Sequence, residues 1–149
     1  MFVFRRLCLV AAMAMAVAML GTGGPASASA EQVKAVISLS DQSMKVTVNG
    51  WRRYSWKVST ARRGYRTPRG RFRPTRMYKR YFSKKYHNSP MPYSVFFHHG
   101  YAIHGTNSVK NLGRPASHGC VRLHPDHARK LYELVQRYGK ANTEIVVVR

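Results

Sequence analysis

The chain has 149 residues, a formal net charge of +21 at pH 7 and two cysteines. This length limits the protein to one small domain with a real hydrophobic core, and so high a charge calls for an anionic partner or environment. No internal repeat, heptad pattern or linker indicates a second domain.

The first thirty residues have the pattern of a secretory signal peptide. Arg5 and Arg6 precede the apolar run 7–20, and small residues follow with A-x-A sites ending at Ala28 and Ala30. The alternative is a membrane anchor, but the run is shorter than the roughly 18–20 residues that span a bilayer. We therefore expect domains at 1–30 (signal) and 31–149 (mature), with no stable membrane span after cleavage.

Cleavage of the signal segment would change both the cysteine count and the net charge. It removes one cysteine and two arginines, so that Cys120 is the only thiol left and the formal charge is +19, from +21 minus two. A lone cysteine excludes an intramolecular disulfide and indicates a reactive thiol. An exported protein is expected to meet anionic envelope polymers rather than nucleic acid, although the charge is also compatible with simple solubility.

The N-terminal half reads as strands followed by a loop-rich region. Alternating apolar and polar residues predict strands at 32–40, 43–50 and 51–60, with a turn at 40–42 and a hairpin turn at Asn49-Gly50. Residues 61–92 are rich in glycine, proline and arginine and are expected to be mainly loop.

The C-terminal half is predicted to hold two short strands, one helix and a last strand. The strands are expected at 93–99 and 101–105. The segment 124–140 has apolar residues at helical spacing, with Pro125 at its start and Gly139 as its stop. Residues 144–149 read as a buried strand, so the whole is mainly β with one late helix.

The segment "RPASHGCVRLH" (114–124) carries the most specific chemical signal. A cysteine nucleophile attacks as a thiolate, so we expect an environment that lowers the pKa of Cys120. Backbone amides of His118, Gly119 and Cys120 are candidate donors to an oxyanion. A buried, inert cysteine beside packed histidines is the alternative reading of these residues alone.

Two histidines compete for the role of general base. His118 lies two residues before the thiol, whereas His104 lies at the end of a separate predicted strand in "AIHGT". We favour His104 as the base and His118 as local support. A zinc site is disfavoured because catalytic zinc usually has an acidic ligand or neighbour and the only nearby acid is Asp126. The residues available to such a site are His98, His99, His104, His118, Cys120, His124 and His127.

These motifs resemble those of the L,D-transpeptidase (YkuD-domain) family. "YAIHGT" followed by "GRPASHGCVRL" resembles its signature of a histidine, a gap and Ser/Thr-His-Gly-Cys-x-Arg/Asn. "VSTARRGYRTPRGRF" (58–72) and "MPYSVFF" (91–97) resemble its upstream segments, so the likeness extends over about 33–149. Ala61 departs from the pattern, because the family usually has glycine there.

The resemblance implies a YkuD-like β-sandwich with one helix after the catalytic cysteine loop. It implies acyl transfer on peptidoglycan stem peptides: Cys120 forms a thioester, D-alanine leaves and an amine of a second stem resolves it into a 3→3 cross-link. Water or a protein lysine is an alternative acceptor, giving a carboxypeptidase, hydrolase or protein-attaching transferase. A non-catalytic basic envelope-binding protein is the alternative of another class.

The resemblance also assigns roles to single residues. Its catalytic residues are Cys120, His104 and His118. Arg122 is expected near the substrate carboxylate or as a brace of its loop, with simple solvation as the alternative. Tyr93 is expected either as an aromatic wall of the substrate site or as a core tyrosine. The full expected substrate-binding set is Tyr93, Ser117, Gly119, Arg122 and Gly105. No cofactor and no metal are expected, and we expect an exported monomer in the periplasm or cell wall.

Overall fold

The computed structural model of the protein describes residues 32–149. The predicted signal segment 1–30 lies outside the described residues. The elements are β1 Val33–Ser38, β2 Ser43–Val48, β3 Trp51–Lys57, β4 Gly70–Phe72, β5 Arg76–Tyr78, β6 Phe82–Ser83, β7 Ser89–Pro90, β8 Ser94–His98, β9 Tyr101–Gly105, β10 Val121–Leu123, α1 Pro125–Tyr138 and β11 Thr143–Val148.

The strands form two main sheets that enclose the core between them. One sheet has the order β3-β2-β1-β11-β4 and the other the order β10-β9-β8-β5, while β6 and β7 pair separately as a small hairpin. The alternating burial of β1 and β2 places their apolar side chains inward. There they join Val95 and Ile103 of the second sheet in one apolar cluster. The predicted β-sandwich is confirmed.

The helix closes one side of this core. Pro125 occupies its first turn and the His124 side chain accepts a hydrogen bond from the Asp126 amide (3.3 Å), while Gly139 ends it at φ 88°. Ala128, Leu131, Leu134 and Val135 form its buried face, and it packs against β1, β8 and β9. The helix begins two residues after β10 ends, so it anchors the segment that carries Cys120.

The region expected to be mainly loop has more structure than the sequence indicated. Residues 61–92 contain the four short strands β4 to β7, of which β4 pairs with β11 and β5 with β8. Each of these strands has only two or three residues, too few for a hydrophobic period to be visible in the sequence. The strand predicted at 51–60 ends at Lys57, and Ser59 instead bridges to Arg122.

Candidate active site

Strand register brings two of the three predicted catalytic residues, His104 and Cys120, to one face of the second sheet. β9 and β10 are parallel, and His104 is the register partner of Arg122. Val121 and Leu123 point into the core, so strand alternation directs Arg122 to the opposite, outer face, together with Cys120 two residues before it. His104, Cys120 and Arg122 therefore share a face.

A cavity of about 590 Å³ lies over this face. His104, Cys120 and Arg122 line it, and we call them its floor; residues of the β6–β7 hairpin also line it. We call residues 82–90 the roof hairpin. Lys84, Lys85 and Tyr86 of this hairpin line the cavity, and no acidic residue does so among the described residues. The cavity is open to solvent, basic, and large enough for a peptide-sized ligand.

Ser117 organises the turn that leads into the thiol. Its hydroxyl accepts a hydrogen bond from the Gly119 amide (3.0 Å) and donates to the Cys120 carbonyl (2.6 Å). Its own amide donates to the Thr60 carbonyl (2.9 Å), and its carbonyl accepts from the Arg62 amide (3.0 Å). Ser117 is buried, so these bonds hold the cysteine loop firmly. Predicted as a substrate-binding residue, it contacts the loop itself and also lines the cavity.

Gly119 is fixed by both conformation and space. Its φ is +133°, and a Cβ there would lie 2.5 Å from the Tyr101 ring and 2.9 Å from the Arg66 carbonyl oxygen. The Gly119 carbonyl accepts a hydrogen bond from the Thr67 hydroxyl (2.8 Å), which accepts one from the Ala61 amide (3.1 Å). The Thr-Pro motif thus supports the cysteine loop, a role that the expectation of a loop at 61–92 did not include.

Cys120 is half-buried at the bottom of the cavity. Its sulfur lies 4.0 Å from the Gly100 carbonyl oxygen, and its side chain packs against a cluster that includes Met91, Phe96 and Ala102. Burial raises the pKa of the Cys120 thiol. A backbone contact with Ala102 and the charge of Arg122 lower it, but by less than burial raises it. The expected lowering of the pKa is therefore wrong: in this environment the resting sulfur is a thiol.

His104 is a buried, neutral imidazole. Its Nδ1 lies 2.7 Å from the Gly105 carbonyl oxygen, which can only accept, so Nδ1 carries the proton and Nε2 has the free lone pair. Burial, aided by the Arg122 charge, lowers the pKa of His104 to about 4, although the Gly105 carbonyl acts in the opposite direction. At neutral pH this side chain is ready to accept a proton.

His118 has a different environment at the mouth of the cavity. The Arg62 guanidinium donates to its Nε2 (2.8 Å), and its ring stacks on Tyr86 and meets the edge of Tyr65. Desolvation and then the charges of Arg62, Arg122 and Lys85 lower the pKa of His118. Because Arg62 occupies Nε2, His118 is poorly suited to take the thiol proton.

Arg122 is a half-buried cation without a carboxylate partner among the described residues. One guanidinium nitrogen lies 3.5 Å from the Ala116 carbonyl oxygen, and its backbone pairs with Ser59. Burial lowers the pKa of Arg122, although the group remains charged. A charge removed from water in this way is stabilised by an anion arriving in the cavity.

Three predicted substrate-binding residues, Tyr93, Gly105 and Gly119, do not line the cavity. Tyr93 packs on the core against Tyr132 of the helix (5.8 Å between ring centroids), and the aromatic residues that line the cavity are Tyr81, Tyr86 and Tyr101. A Cβ on Gly105 would lie 3.1 Å from atoms of Pro92 and Pro125, so this glycine permits close packing behind His104.

Two kinds of feature are absent from the described residues. Within residues 32–149 no three His, Cys, Asp or Glu side chains come together as a metal-binding group. In the same range no helix is long and apolar enough to cross a membrane.

The comparisons with known proteins agree with this geometry. The family model of the YkuD L,D-transpeptidase catalytic domain matches residues 32–148. The chain therefore belongs to this family, and the resemblance identified from its sequence motifs is confirmed. No curated protein matches the chain.

Several solved structures share the fold. An L,D-transpeptidase from Stackebrandtia nassauensis is 28% identical, with a TM-score of 0.68 over 79% of this chain and 56% of its own. One from Mycobacterium smegmatis is 21% identical, with a TM-score of 0.71 over 80% and 59%. L,D-transpeptidase 3 from Mycobacterium tuberculosis, solved with a faropenem-derived adduct, is 18% identical, with a TM-score of 0.69 over 80% and 61%. This chain spans less than two thirds of each.

Proposed function

We propose that the protein is a cysteine-dependent L,D-transpeptidase that forms 3→3 cross-links between peptidoglycan stem peptides. The observation that carries this proposal is the placement of Cys120, His104 and Arg122 on one sheet face beneath one solvent-open cavity. A structural cysteine would have no need of a neutral imidazole, an unpaired cation and a peptide-sized cavity around it.

The chemistry proceeds in two acyl transfers. The Cys120 sulfur attacks the carbonyl carbon before the terminal D-alanine of a tetrapeptide stem, and its proton passes to His104 Nε2. The tetrahedral intermediate collapses as the C–N bond breaks, His104 returns the proton to the leaving amine, and a thioester remains. The side-chain amine of a diamino acid in a second stem then attacks this thioester, gives up a proton to His104 and releases the thiol.

The resting protonation states favour a concerted proton transfer. Both partners are neutral before attack, since burial raises the pKa of Cys120 and lowers that of His104. The thiol therefore loses its proton as the carbon–sulfur bond forms, and the Gly105 carbonyl stabilises the imidazolium through Nδ1. The Gly119 amide is engaged by Ser117, which leaves the amides of His118 and Cys120 as the proposed oxyanion donors.

Arg122 is proposed to bind a carboxylate of the donor stem. It is half-buried, lines the cavity and has no carboxylate partner among residues 32–149. The leaving D-alanine carries a free carboxylate close to the scissile carbonyl. A guanidinium provides paired donors for such a group.

Mass spectrometry tests the reaction. The protein is incubated with disaccharide-tetrapeptide, with and without an acceptor stem, beside Cys120→Ala. A dimer minus one D-alanine, absent with Cys120→Ala, supports transpeptidation. Tripeptide alone indicates that water is the acceptor and would replace the proposal with the carboxypeptidase or hydrolase alternative. No change with a folded protein leaves only the non-catalytic envelope-binding alternative.

A β-lactam provides an independent probe of the thiol. One structural neighbour was solved with a faropenem-derived adduct. We expect a penem or carbapenem to acylate Cys120, detected as a mass increase that peptide mapping assigns to residues containing this side chain. An unmodified Cys120 after prolonged incubation would count against an acylatable sulfur.

We also propose that residues 1–30 direct export to the periplasm or cell wall, and that the mature domain begins at 31.

We call residues 62–87 the basic segment, and we propose that it holds the exported enzyme on anionic envelope polymers. Its cations are Arg62, Arg63, Arg66, Arg69, Arg71, Arg73, Arg76, Lys79, Arg80, Lys84 and Lys85. Binding to isolated sacculi should weaken steeply as salt rises, and binding that is independent of salt would contradict the proposal.

A further inference from the structure

The ring of His118 stands at the centre of a stack that joins two separate segments over the cavity. Tyr86 of the roof hairpin stacks on it at 4.7 Å and 14° between ring planes. Tyr65 meets it edge-on at 4.6 Å, and the Arg62 guanidinium lies 5.1 Å from the Tyr65 ring centroid. Lys85 lies 5.6 Å from the Tyr86 centroid on the hairpin side. We call Arg62, Tyr65, His118 and Tyr86 the clasp.

Arg62 determines the chemical state of the central ring. A guanidinium has only donors, so the 2.8 Å contact requires an unprotonated Nε2 on His118. The imidazole must then be neutral with its proton on Nδ1. Arg62 is itself held in place, because its backbone amide donates to the Ser117 carbonyl (3.0 Å) in the cysteine loop.

We propose that Arg62 is a positioning residue that acts through His118, holding the imidazole as a neutral acceptor and so fastening the roof hairpin to residues 61–69 above the thiol. The clasp keeps the cavity narrow and shaped while the transfer proceeds. His118 then serves to hold the roof and His104 to move the proton. The inference rests on the proposed function only in its kinetic readout, because the contacts of the clasp join residues of this chain alone.

Protonation opposes the clasp. A charged His118 would lose its acceptor and would stand among Arg62, Arg122 and Lys85, which face it from residues 61–69, β10 and the roof hairpin, with Tyr65 and Tyr86 on either side of the ring. Since the clasped state has the lowered pKa, its stabilisation is complete above the ordinary value of 6.5 and declines as pH falls below it. The roof hairpin is therefore expected to loosen in acid.

Imidazole ¹⁵N NMR tests the tautomer directly. At pH 7.5 we expect an Nδ1-protonated His118 in the wild type. Arg62→Ala should shift it toward the Nε2-protonated form, and Arg62→Lys, which retains a donor, should restore part of the signal. Arg53→Ala removes an exposed cation on β3, outside the clasp, and should leave the tautomer unchanged. A wild-type ring protonated on Nε2, or an Arg62→Ala spectrum equal to that of Arg53→Ala, would overturn the proposal.

Two further measurements give the consequence. Hydrogen exchange of amides in residues 82–90 should be faster in Arg62→Ala, and in the wild type should accelerate as pH is lowered after correction for intrinsic exchange. Penem acylation of Cys120 at pH 7 should fall about fivefold in Arg62→Ala, the scale of one modest hydrogen bond, and stay within about twofold in Arg53→Ala. Equal hydrogen exchange of residues 82–90 in Arg62→Ala and Arg53→Ala would reject the clasp, whatever the acylation rates. Faster exchange in Arg62→Ala, together with a wild-type Cys120 that no penem acylates, would reject only the proposed function.

Discussion

The floor and the roof of the cavity are built in opposite ways. The floor is carried by β8, β9 and β10, whose residues are mostly buried and paired in a continuous sheet. The roof is the roof hairpin, whose strands have two residues each, and the clasp joins it to residues 61–69; most side chains in these two segments are exposed and many are cationic. Rigid pairing suits groups that must meet within a proton-transfer distance, whereas a loop-rich roof suits recognition and entry of a long substrate.

Among the floor and roof residues, removal of the His104 imidazole is expected to have the largest effect on the rate of acylation. We expect His104→Ala to lower the rate of Cys120 acylation by about 10²- to 10⁴-fold, the contribution of a general base, and His118→Ala by about tenfold or less. Because the pKa of His104 is lowered to about 4, the main loss of the wild-type rate should come near that pH, whereas loosening of the clasp below 6.5 should cost at most about fivefold. The pH dependence of penem acylation measures this. A main acid limb near 6.5, or a larger loss from His118→Ala, would move the base role to His118.

Gly119→Ala tests the junction between floor and roof. The added Cβ would lie 2.5 Å from the Tyr101 ring, at a φ of +133° that L-residues rarely adopt. The cysteine loop must move, and a displacement of about 1 Å can cost roughly 100-fold in rate. Gly50→Ala is the matched control, because its φ is also positive but nothing lies within 4 Å of the new Cβ. We expect it to lose about 1 kcal/mol of stability and little activity. Similar kinetics in the two variants would contradict the geometry.

Ser117→Ala is expected to have an intermediate effect. It leaves the Gly119 amide without its acceptor and the Cys120 carbonyl without its donor, within a buried loop. A cost of about 1–3 kcal/mol in the free energy of unfolding follows. Ser59→Ala also removes a buried hydroxyl, which donates to the Arg114 carbonyl at 2.8 Å, at the start of the segment 114–124 and away from the turn at Cys120. Both variants should be destabilised by similar amounts, but only Ser117→Ala should slow acylation, by about tenfold. Equal rates would show that Ser117 serves stability alone.

The sequence predicted the floor far better than the roof. Regular hydrophobic periods predicted the longer strands and the helix, and Pro125 and Gly139 predicted the two ends of the helix. Cys120 and His104 were identified because their motifs are local in sequence. By contrast, strands of two or three residues in 61–92 have no period to detect, and their pairing partners β8 and β11 come from distant parts of the chain.

The residues that were missed act through contacts that only folding creates. Thr67 supports Gly119 from 52 positions away, and Arg62 reaches His118 from 56 positions away. The motif left Tyr93 open between the substrate wall and the core, and its ring packs on the core against Tyr132 of the helix. The direction of the Cys120 pKa shift was also wrong, since burial depends on packing by Met91 and Phe96, which the motif does not encode.

The smallest expected effect comes from the ion-pair network that links β4, the edge strand of the first sheet, to β11 and β1. Glu144 contacts Arg71 at 2.5 Å and Lys34 at 3.3 Å. The hydrogen bond from Arg71 is the main cause that lowers the pKa of Glu144, so its stabilisation is present above the ordinary value of 4.5 and is lost as pH falls below it. We expect Glu144→Gln to cost about 0.5 kcal/mol at pH 7, the scale of a surface pair, measured by urea unfolding. Glu133→Gln, which removes the longer 3.7 Å pair with Lys130 on the helix, should cost less. Neither carboxylate lines the cavity, so we expect both variants to acylate Cys120 at the wild-type rate. Slower acylation in Glu144→Gln would mean that β4 is coupled to the site, and that the floor depends on contacts outside its own sheet.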